Sequence, residues 1–524
     1  MSVADNLRAG RDDTEPGLPA DSELLAEPNS LAKPDIPAGP AAPADPDIAA
    51  NPYGPRFVAP LYLGSALNPI NSSIIATALV ALAAALHITV GATAILISSL
   101  YLTSALAQPA AGRLAEEFGP RRVFLAGIGL VLAAGVVGSL ATSLPGLIAA
   151  RVLIGAGTSA GYPSAMLLIR RRAHQAGLQA PPHRVLGGLA VAGAATVAIG
   201  PAIGGLLVGW LGWRTAFWIN IPFAAVALVL TLIGIAPDTK TAPDPGSDSG
   251  SDPGSHPARA ARPDNSPRTL ASRIDLLGML GFGGSLTALV VFLNTLPRLN
   301  WPFLALAAIL AVLLVAWELR AAQPFLDVRL LASNRALTRT YIRNGLTLLG
   351  TYVILYGLTQ WLEAVRGLSA YQAGLALLPM GVLSAVTARM TARRTKVRIP
   401  LLASAVLLVV GAMAMLFINT GTPMPAVIAA SAVFGFTSGA GTVANQTVLY
   451  REAPAATVGT ASGLLRTFGY LGSIASAAIT GVAFHTRVSD PGLHHVAWIL
   501  VLIAAVVLVM TVLDRHLARA DRTN

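Results

Sequence analysis

Residues 200–222 read GPAIGGLLVGWLGWRTAFWINIP, and the organisation of the whole chain follows from them. Gly204 and Gly205 stand four and five residues after Gly200 inside an apolar run, a spacing that lets a neighbouring backbone come close to one face of a membrane helix. Pro201 removes an amide donor and bends that helix. These residues carry the chemistry of a hinge and a close contact, not of catalysis.

The composition around this stretch excludes an ordinary soluble protein. The chain has 524 residues, 54% of them hydrophobic and 12% charged, with a mean hydropathy of +0.64, which is the profile of a polytopic membrane protein. The 50 glycines and 36 prolines agree with this, because both are commoner in membrane helices than in soluble ones. The formal charge of +11 would suggest nucleic acid in a soluble protein. Here the basic residues sit in short loops between apolar runs, so they report topology. No cysteine is present, so disulfides, thiolate metal sites and thiol catalysis are excluded.

Apolar runs of about 20 residues give roughly fourteen spans. They fall at 57–82, 90–111, 123–142, 146–169, 185–209, 216–236, 275–295, 301–319, 338–361, 371–390, 400–419, 425–448, 459–483 and 495–514. Arg113, Arg121, Arg122, Arg170 to Arg172, Arg184, Arg320, Arg329, Arg389, Arg393, Arg394 and Arg451 all fall on one side of these spans. The other side has little beyond Arg214, Arg298, Arg366 and Arg487. The asymmetry predicts that the arginine-rich loops and both termini are cytoplasmic. Residues 1–52 are rich in Pro, Ala, Asp and Glu without periodicity and read as a disordered cytoplasmic tail. Residues 237–272 form a Gly/Ser/Asp/Pro linker that cannot bury itself.

The GPxxGG of residues 200–205, followed by the WRxxFxxNxP of residues 213–222, resembles the fourteen-helix drug:proton antiporter family of the major facilitator superfamily. Two departures are Thr196, where the family pattern has another glycine, and Thr215, where it has a second tryptophan. The resemblance implies an all-α polytopic membrane protein with the major facilitator fold: two six-helix bundles plus a two-helix insertion. Projected onto this chain, it gives an N-terminal bundle at 53–236, an inserted helix pair at 273–320 and a C-terminal bundle with a short tail at 321–524. It also implies a midplane substrate site that opens alternately to the two sides.

Gly112, Glu116, Gly119, Arg121 and Arg122 lie in the loop joining the second and third spans. An acid with basic neighbours can pair across helix ends and hold a gate; the alternative is an ordinary basic loop. The spacing resembles the superfamily's G-x-L-A-D-R-x-G-R-R loop, with Glu116 for its aspartate, Glu117 for a basic residue and Pro120 for another.

Candidate substrate and coupling residues are the polar side chains inside apolar spans. Arg151 lies roughly 10 Å below the outer end of its span and Asn71 about 15 Å below the same surface, so the two can share a cavity. An intramembrane cation is costly and functional by default, the alternative being an arginine bonded to backbone carbonyls. The family pattern would place an aspartate at Asn71, an asparagine at Ala76 and a proline at Val80. Asn71 can hydrogen-bond a substrate or Arg151 but cannot titrate. Arg343 and Arg466 also fall within spans, with no membrane-core carboxylate expected to pair with them, since the acids near spans sit at ends. Glu363 stands where the family commonly has a glutamine and is the candidate titrating group, unless it lies in water at the helix end. Gln108, Asn344, Asn445 and Gln446 can line a cavity or bond helix to helix.

No phosphate loop, nucleotide fingerprint, catalytic triad or HExxH motif appears. The expectation is a non-enzymatic secondary transporter in the plasma membrane, exporting drug-like or metabolite small molecules by alternating access, with proton coupling and no bound cofactor or metal. Expected partners are a small-molecule substrate and the lipid bilayer, with no nucleic acid, and the protein is expected to be a monomer. The rival expectations are a proton-independent facilitator or exchanger of an organic anion, and a non-transporting membrane sensor.

Overall fold

The computed structural model of the chain describes residues 51–178, 182–238, 275–295, 299–321, 324–326, 328–394, 396–453, 458–514 and 516–517. The expected tail at 1–52 and linker at 237–272 lie outside the described residues apart from 51–52 and 237–238. Every regular element among the described residues is helical.

The first half of the chain holds α1 (Pro55–Ala76), α2 (Leu79–Ala85), α3 (Ala94–Phe118), α4 (Pro120–Leu140), α5 (Leu144–Ser159), α6 (Gly161–Gln175), α7 (His183–Leu211), α8 (Thr215–Trp218) and α9 (Asn220–Gly234). A pair follows, α10 (Leu276–Thr295) and α11 (Trp301–Glu318). The second half holds α12 (Val328–Ser333), α13 (Arg335–Val353), α14 (Thr359–Ala364), α15 (Ala370–Ala392), α16 (Arg398–Met415), α17 (Met424–Glu452), α18 (Val458–Ala483) and α19 (Asp490–Leu513).

Ten helical stretches are long and apolar enough to cross a membrane, and α1 with α2 makes an eleventh if that pair, bent by 60°, is one span. Helices also cover the expected spans 185–209, 338–361 and 459–483, as α7, as α13 with α14, and as α18. Arg343, Asn344 and Arg466 lower the apolar character of the last two. Fourteen spans are consistent with these helices.

Two groups of helices result. In one, α1, α3 to α7 and α9 pack on their neighbours; in the other, α13 and α15 to α19 do so. The pair α10 and α11 packs on itself, and α10 lies against both α3 and α18. The groups meet along two seams, α7 against α15 and α3 against α18. Lipid tails are as apolar as leucine, so these seams are held by close packing rather than by the hydrophobic effect, and small residues make that packing possible. A Cβ on Gly205 would run into the Ala370 carbonyl, and one on Gly374 would run into the carbonyl of Pro201. On the other seam a Cβ on Gly91 would stand 2.6 Å from the Gly481 carbonyl. The Gly205 and Gly91 contacts lie at the helix ends opposite the arginine-rich loops, so the halves are pressed together there.

Local chemistry fixes where these contacts fall. A capping box starts α15 beside Gly205: Gln372 N–H donates to Ser369 Oγ at 3.3 Å and Ser369 N–H to Gln372 Oε1 at 3.0 Å. The rod formed by α13 and α14 is widened at Ile354–Leu358 by a π-helical turn. Such turns re-aim side chains, and this one carries Tyr356 toward the partner bundle.

Candidate functional site

Between the two helix groups five of the chain's ten tyrosines gather: Tyr101, Tyr162, Tyr352, Tyr356 and Tyr470. The Tyr101 ring of α3 lies 5.4 Å from that of Tyr352 and 5.7 Å from that of Tyr470, and its hydroxyl meets the Tyr356 hydroxyl at 3.0 Å. Tyr470 donates to Gln108 Oε1 at 2.6 Å, joining α18 to α3. One helical turn nearer the arginine-rich end, the Arg466 guanidinium lies over the Tyr162 ring, 3.4 Å from its centroid. Gln446 sits on α17 and donates to Tyr450 at 2.9 Å. The packing between the halves is therefore aromatic with amide and hydroxyl groups, and Tyr101 and Tyr356 are fully buried in it; where the halves part, such side chains offer a flat organic molecule ring faces and hydrogen bonds. Sequence reasoning found Gln108, Gln446 and Arg466 but not the tyrosines. Their signal was present: a chain with only 6% aromatic residues places these five in otherwise small-residue or polar spans.

Arg151 is 1% exposed. Its Nε donates to the Leu96 carbonyl at 3.0 Å and its Nη1 to the Asn71 carbonyl at 3.3 Å, while Nη2 has no hydrogen-bond partner. Asn71, 2% exposed, turns its side chain elsewhere: Nδ2 donates to Asn220 Oδ1 at 2.6 Å and to the Leu67 carbonyl at 2.9 Å. Of the two partners open to the Asn71 side chain, a substrate or Arg151, the second is met by the Asn71 main chain instead. A guanidinium has several donors in a rigid fork, and two of those of Arg151 are met by carbonyls that the proline-containing α1 and the start of α3 present to it. Asn68, which the sequence did not single out, ties three helices together by donating to Ser104 Oγ at 3.1 Å and Thr158 Oγ1 at 3.0 Å.

Arg343 corrects the expectation that no carboxylate would pair with the core arginines. Its Nη1 lies 3.3 Å from Asp514 Oδ2 and its Nε donates to Asn445 Oδ1 at 2.8 Å, with Arg343 1% and Asp514 3% exposed. Asp514 follows the last residue of α19, and α19 packs beside α13. An acid at the end of one helix therefore reaches an arginine two turns inside another. Arg339 joins the same carboxylate at 3.8 Å. Asn344 donates to the Leu465 carbonyl at 3.2 Å, a helix-to-helix bond. Arg343 and Asn445 are thus brought together, and with Asn344 they are internal fastenings of the second group.

Glu363 lies in α14 near the end opposite the arginine-rich loops, half-buried, with Oε1 buried and without a hydrogen-bond partner. It stands apart from the tyrosine cluster in the chain, two residues beyond Trp361, whose Nε1 donates to Asp490 at 2.8 Å.

The glycine motif of α7 faces two ways. Gly200 and Gly204 lie against α1, at Ser73 and at Ile74 and Thr77, whereas Gly205 and the Pro201 carbonyl lie against α15 of the other half. One turn of one helix thus touches both its own bundle and the opposite one.

At the arginine-rich end, Gly119 has φ of 99° and starts α4. Glu116 is exposed and closes no ion pair among the described residues. The acid that gathers this loop is Asp238, just past α9. Its carboxylate accepts the Arg121 and Arg122 N–H groups at 3.3 and 3.0 Å and lies 3.3 Å from Arg171 Nη1. It caps the first turn of α4, where the helix dipole favours an anion. Its place at the head of a polar linker hid this role in the sequence. From Gly112's side of the loop, Arg113 Nη2 donates to the Pro324 carbonyl at 3.1 Å. The next two amides, Phe325 and Leu326, donate to the buried carboxylates of Asp275 at 2.7 Å and Glu318 at 3.0 Å. The inserted pair thereby holds the segment that Arg113 touches.

A family model described as Major Facilitator Superfamily matches residues 61–477. The uncharacterised MFS-type transporter YwoD of Bacillus subtilis is 31% identical over 87% of this chain and 96% of its own length. The multidrug resistance protein Stp of Mycobacterium tuberculosis is 26% identical over 74% of this chain and 67% of its own. The tetracenomycin C resistance and export protein of Streptomyces glaucescens is 26% identical over 82% and 75%. Among solved structures, a mutant of the nucleoside transporter NupG superposes with a TM-score of 0.56 at 11% identity, covering 87% of this chain and 98% of that one. The human organic anion transporter MFSD10 gives 0.55 at 16% identity, covering 87% and 99%. At these identities the structures speak for the fold alone.

Proposed function

The chain belongs to the Major Facilitator Superfamily and is a multi-pass membrane protein, and from that premise we propose that it is a proton-coupled exporter of drug-like or metabolite small molecules. The observation that carries this reading is the pair of glycine-lined seams, which close the halves against each other at one end around an aromatic interior. Halves joined by bare backbone contacts can rock as rigid bodies, exposing that interior to each side in turn. Export is supported by relatives whose names record resistance and export. The test is flux in proteoliposomes across a panel of organic compounds, with and without a proton gradient. Gradient-driven movement of panel compounds is expected, and no movement of any of them would contradict the proposal.

Glu363 is the proposed proton carrier, because its buried, unpartnered oxygen makes the charged form costly in an apolar setting. Glu363→Gln is expected to abolish stimulation by the gradient while downhill flux continues. Undiminished stimulation would remove Glu363 from the coupling.

The arginine-rich end is proposed to be cytoplasmic in the plasma membrane, with both termini and the linker on that side. In this cysteine-free chain, Ser249→Cys should resist an impermeant thiol reagent in intact cells and react after permeabilisation. Labelling in intact cells would invert the topology.

A further inference from the structure

The three arginines that the sequence places inside spans are answered in different ways. Arg343 has Asp514, and Arg151 has two main-chain carbonyls. Arg466 is half-buried and its guanidinium lies over an aromatic ring, with no carboxylate paired to it among the described residues. A ring face attracts a cation without using its N–H donors, and the nearby Tyr470 hydroxyl takes up only part of the guanidinium fork. A carboxylate matches the planar fork of donors and forms the stronger, charge-assisted pair. The setting gives that fork a direction. Tyr470 lies one turn further along α18, hydrogen-bonded to Gln108, and the rings of Tyr101 and Tyr352 follow. Among the described residues no ion pair joins an acid to Arg466: Glu363 and Asp490 lie at one end, Asp238, Asp275, Glu318, Glu116, Glu117 and Glu452 at the other, and Asp514 is paired with Arg343 and Arg339.

We propose that Arg466, stacked on Tyr162, is the subsite for an anionic head group, so that the transported compounds are aromatic organic acids whose rings pack along Tyr470, Tyr101 and Tyr352. This rests on the exporter reading above and names the substrate class of the same interior. An organic cation would meet an uncompensated guanidinium and no carboxylate, so it is disfavoured. A bound acid would neutralise Arg466 where partial burial makes an unpaired charge expensive, and the existing burial means that little further desolvation of the arginine is needed.

The test uses the purified full chain in detergent and three naphthalene probes of one shape: 2-naphthoate, the neutral 2-naphthalenemethanol and the cationic 2-naphthylmethylammonium. Binding is followed by titration calorimetry. The wild type is expected to bind naphthoate at least about tenfold more tightly than either of the others, a difference of about 1.4 kcal/mol. Arg466→Gln should remove that preference, Arg466→Lys should keep part of it, and Tyr162→Leu, which leaves the charge but takes away the ring that positions it, should reduce it several-fold. Absence of a naphthoate preference in the wild type, or its survival in Arg466→Gln, would overturn the assignment. If Arg466→Gln does not fold, the wild type and Tyr162→Leu decide by the same criteria. Flux of the same probes in proteoliposomes judges the exporter reading separately. A preference without flux leaves the anion subsite and removes the exporter, and flux without a preference does the reverse.

Discussion

Replacing Gly205 by leucine is expected to reduce transport to background while the protein still inserts and accumulates in the membrane. A side chain at Gly205 meets the Ala370 carbonyl at the capped start of α15, so leucine forces apart the two halves where they now touch through backbone. Overpacking of this kind costs about 1–3 kcal/mol in a core that can relax. Here the cost falls on one conformation, the state in which this seam is closed, and not on the fold of either bundle. A cost of that size on one of two alternating states slows the cycle between them. Gly374→Leu, which collides with the Pro201 carbonyl from the other side of the seam, should have the same effect. Flux in proteoliposomes, normalised to protein, measures it. Normal flux through a well-expressed Gly205→Leu protein would mean that the seam does not close during transport.

The second large effect is on stability. Arg343→Ala is expected to cost about 3–5 kcal/mol, because it leaves the Asp514 carboxylate buried beside only the more distant Arg339. Asp514→Asn should cost a comparable amount by stranding Arg343. The double variant Arg343→Met with Asp514→Leu should recover most of the loss, since replacing a buried pair by apolar groups is often neutral. Unfolding in detergent, followed by loss of the monodisperse peak on heating, checks all three. A double variant no more stable than the singles would show that the ion pair has a further role.

How much of this could be read from the chain divides along physical lines. The close-packing glycine face at Gly200 to Gly205 and the helical spans rest on local spacing and hydropathy, so they were visible in the sequence. The partner of Arg343 was not, because Asp514 is 171 positions away and only the packing of α19 on α13 brings them together. Asn71 and Arg151 meet, as their expected depths allow, but depth does not fix rotation. The side chain of one reaches the main chain of the other. Asp238 was hidden by its context, a polar acid at the head of a Gly/Ser/Pro run, and the tyrosines by their dispersal over four separate spans. Each of these is a long-range fact that no window of sequence contains.

The central claim is that the two halves separate and close at the α3–α18 seam as the protein works. A cysteine pair tests it most directly, at Ala94 and Gly481, where a Cβ built on Gly481 lies 2.9 Å from that of Ala94. The chain has no other cysteine to interfere. Once oxidation has cross-linked the pair to completion, flux of any compound carried by the reduced protein should stop, and it should return when the disulfide is reduced. Full flux through the cross-linked protein would contradict the claim, because it would mean that transport proceeds with this end of the halves fixed together.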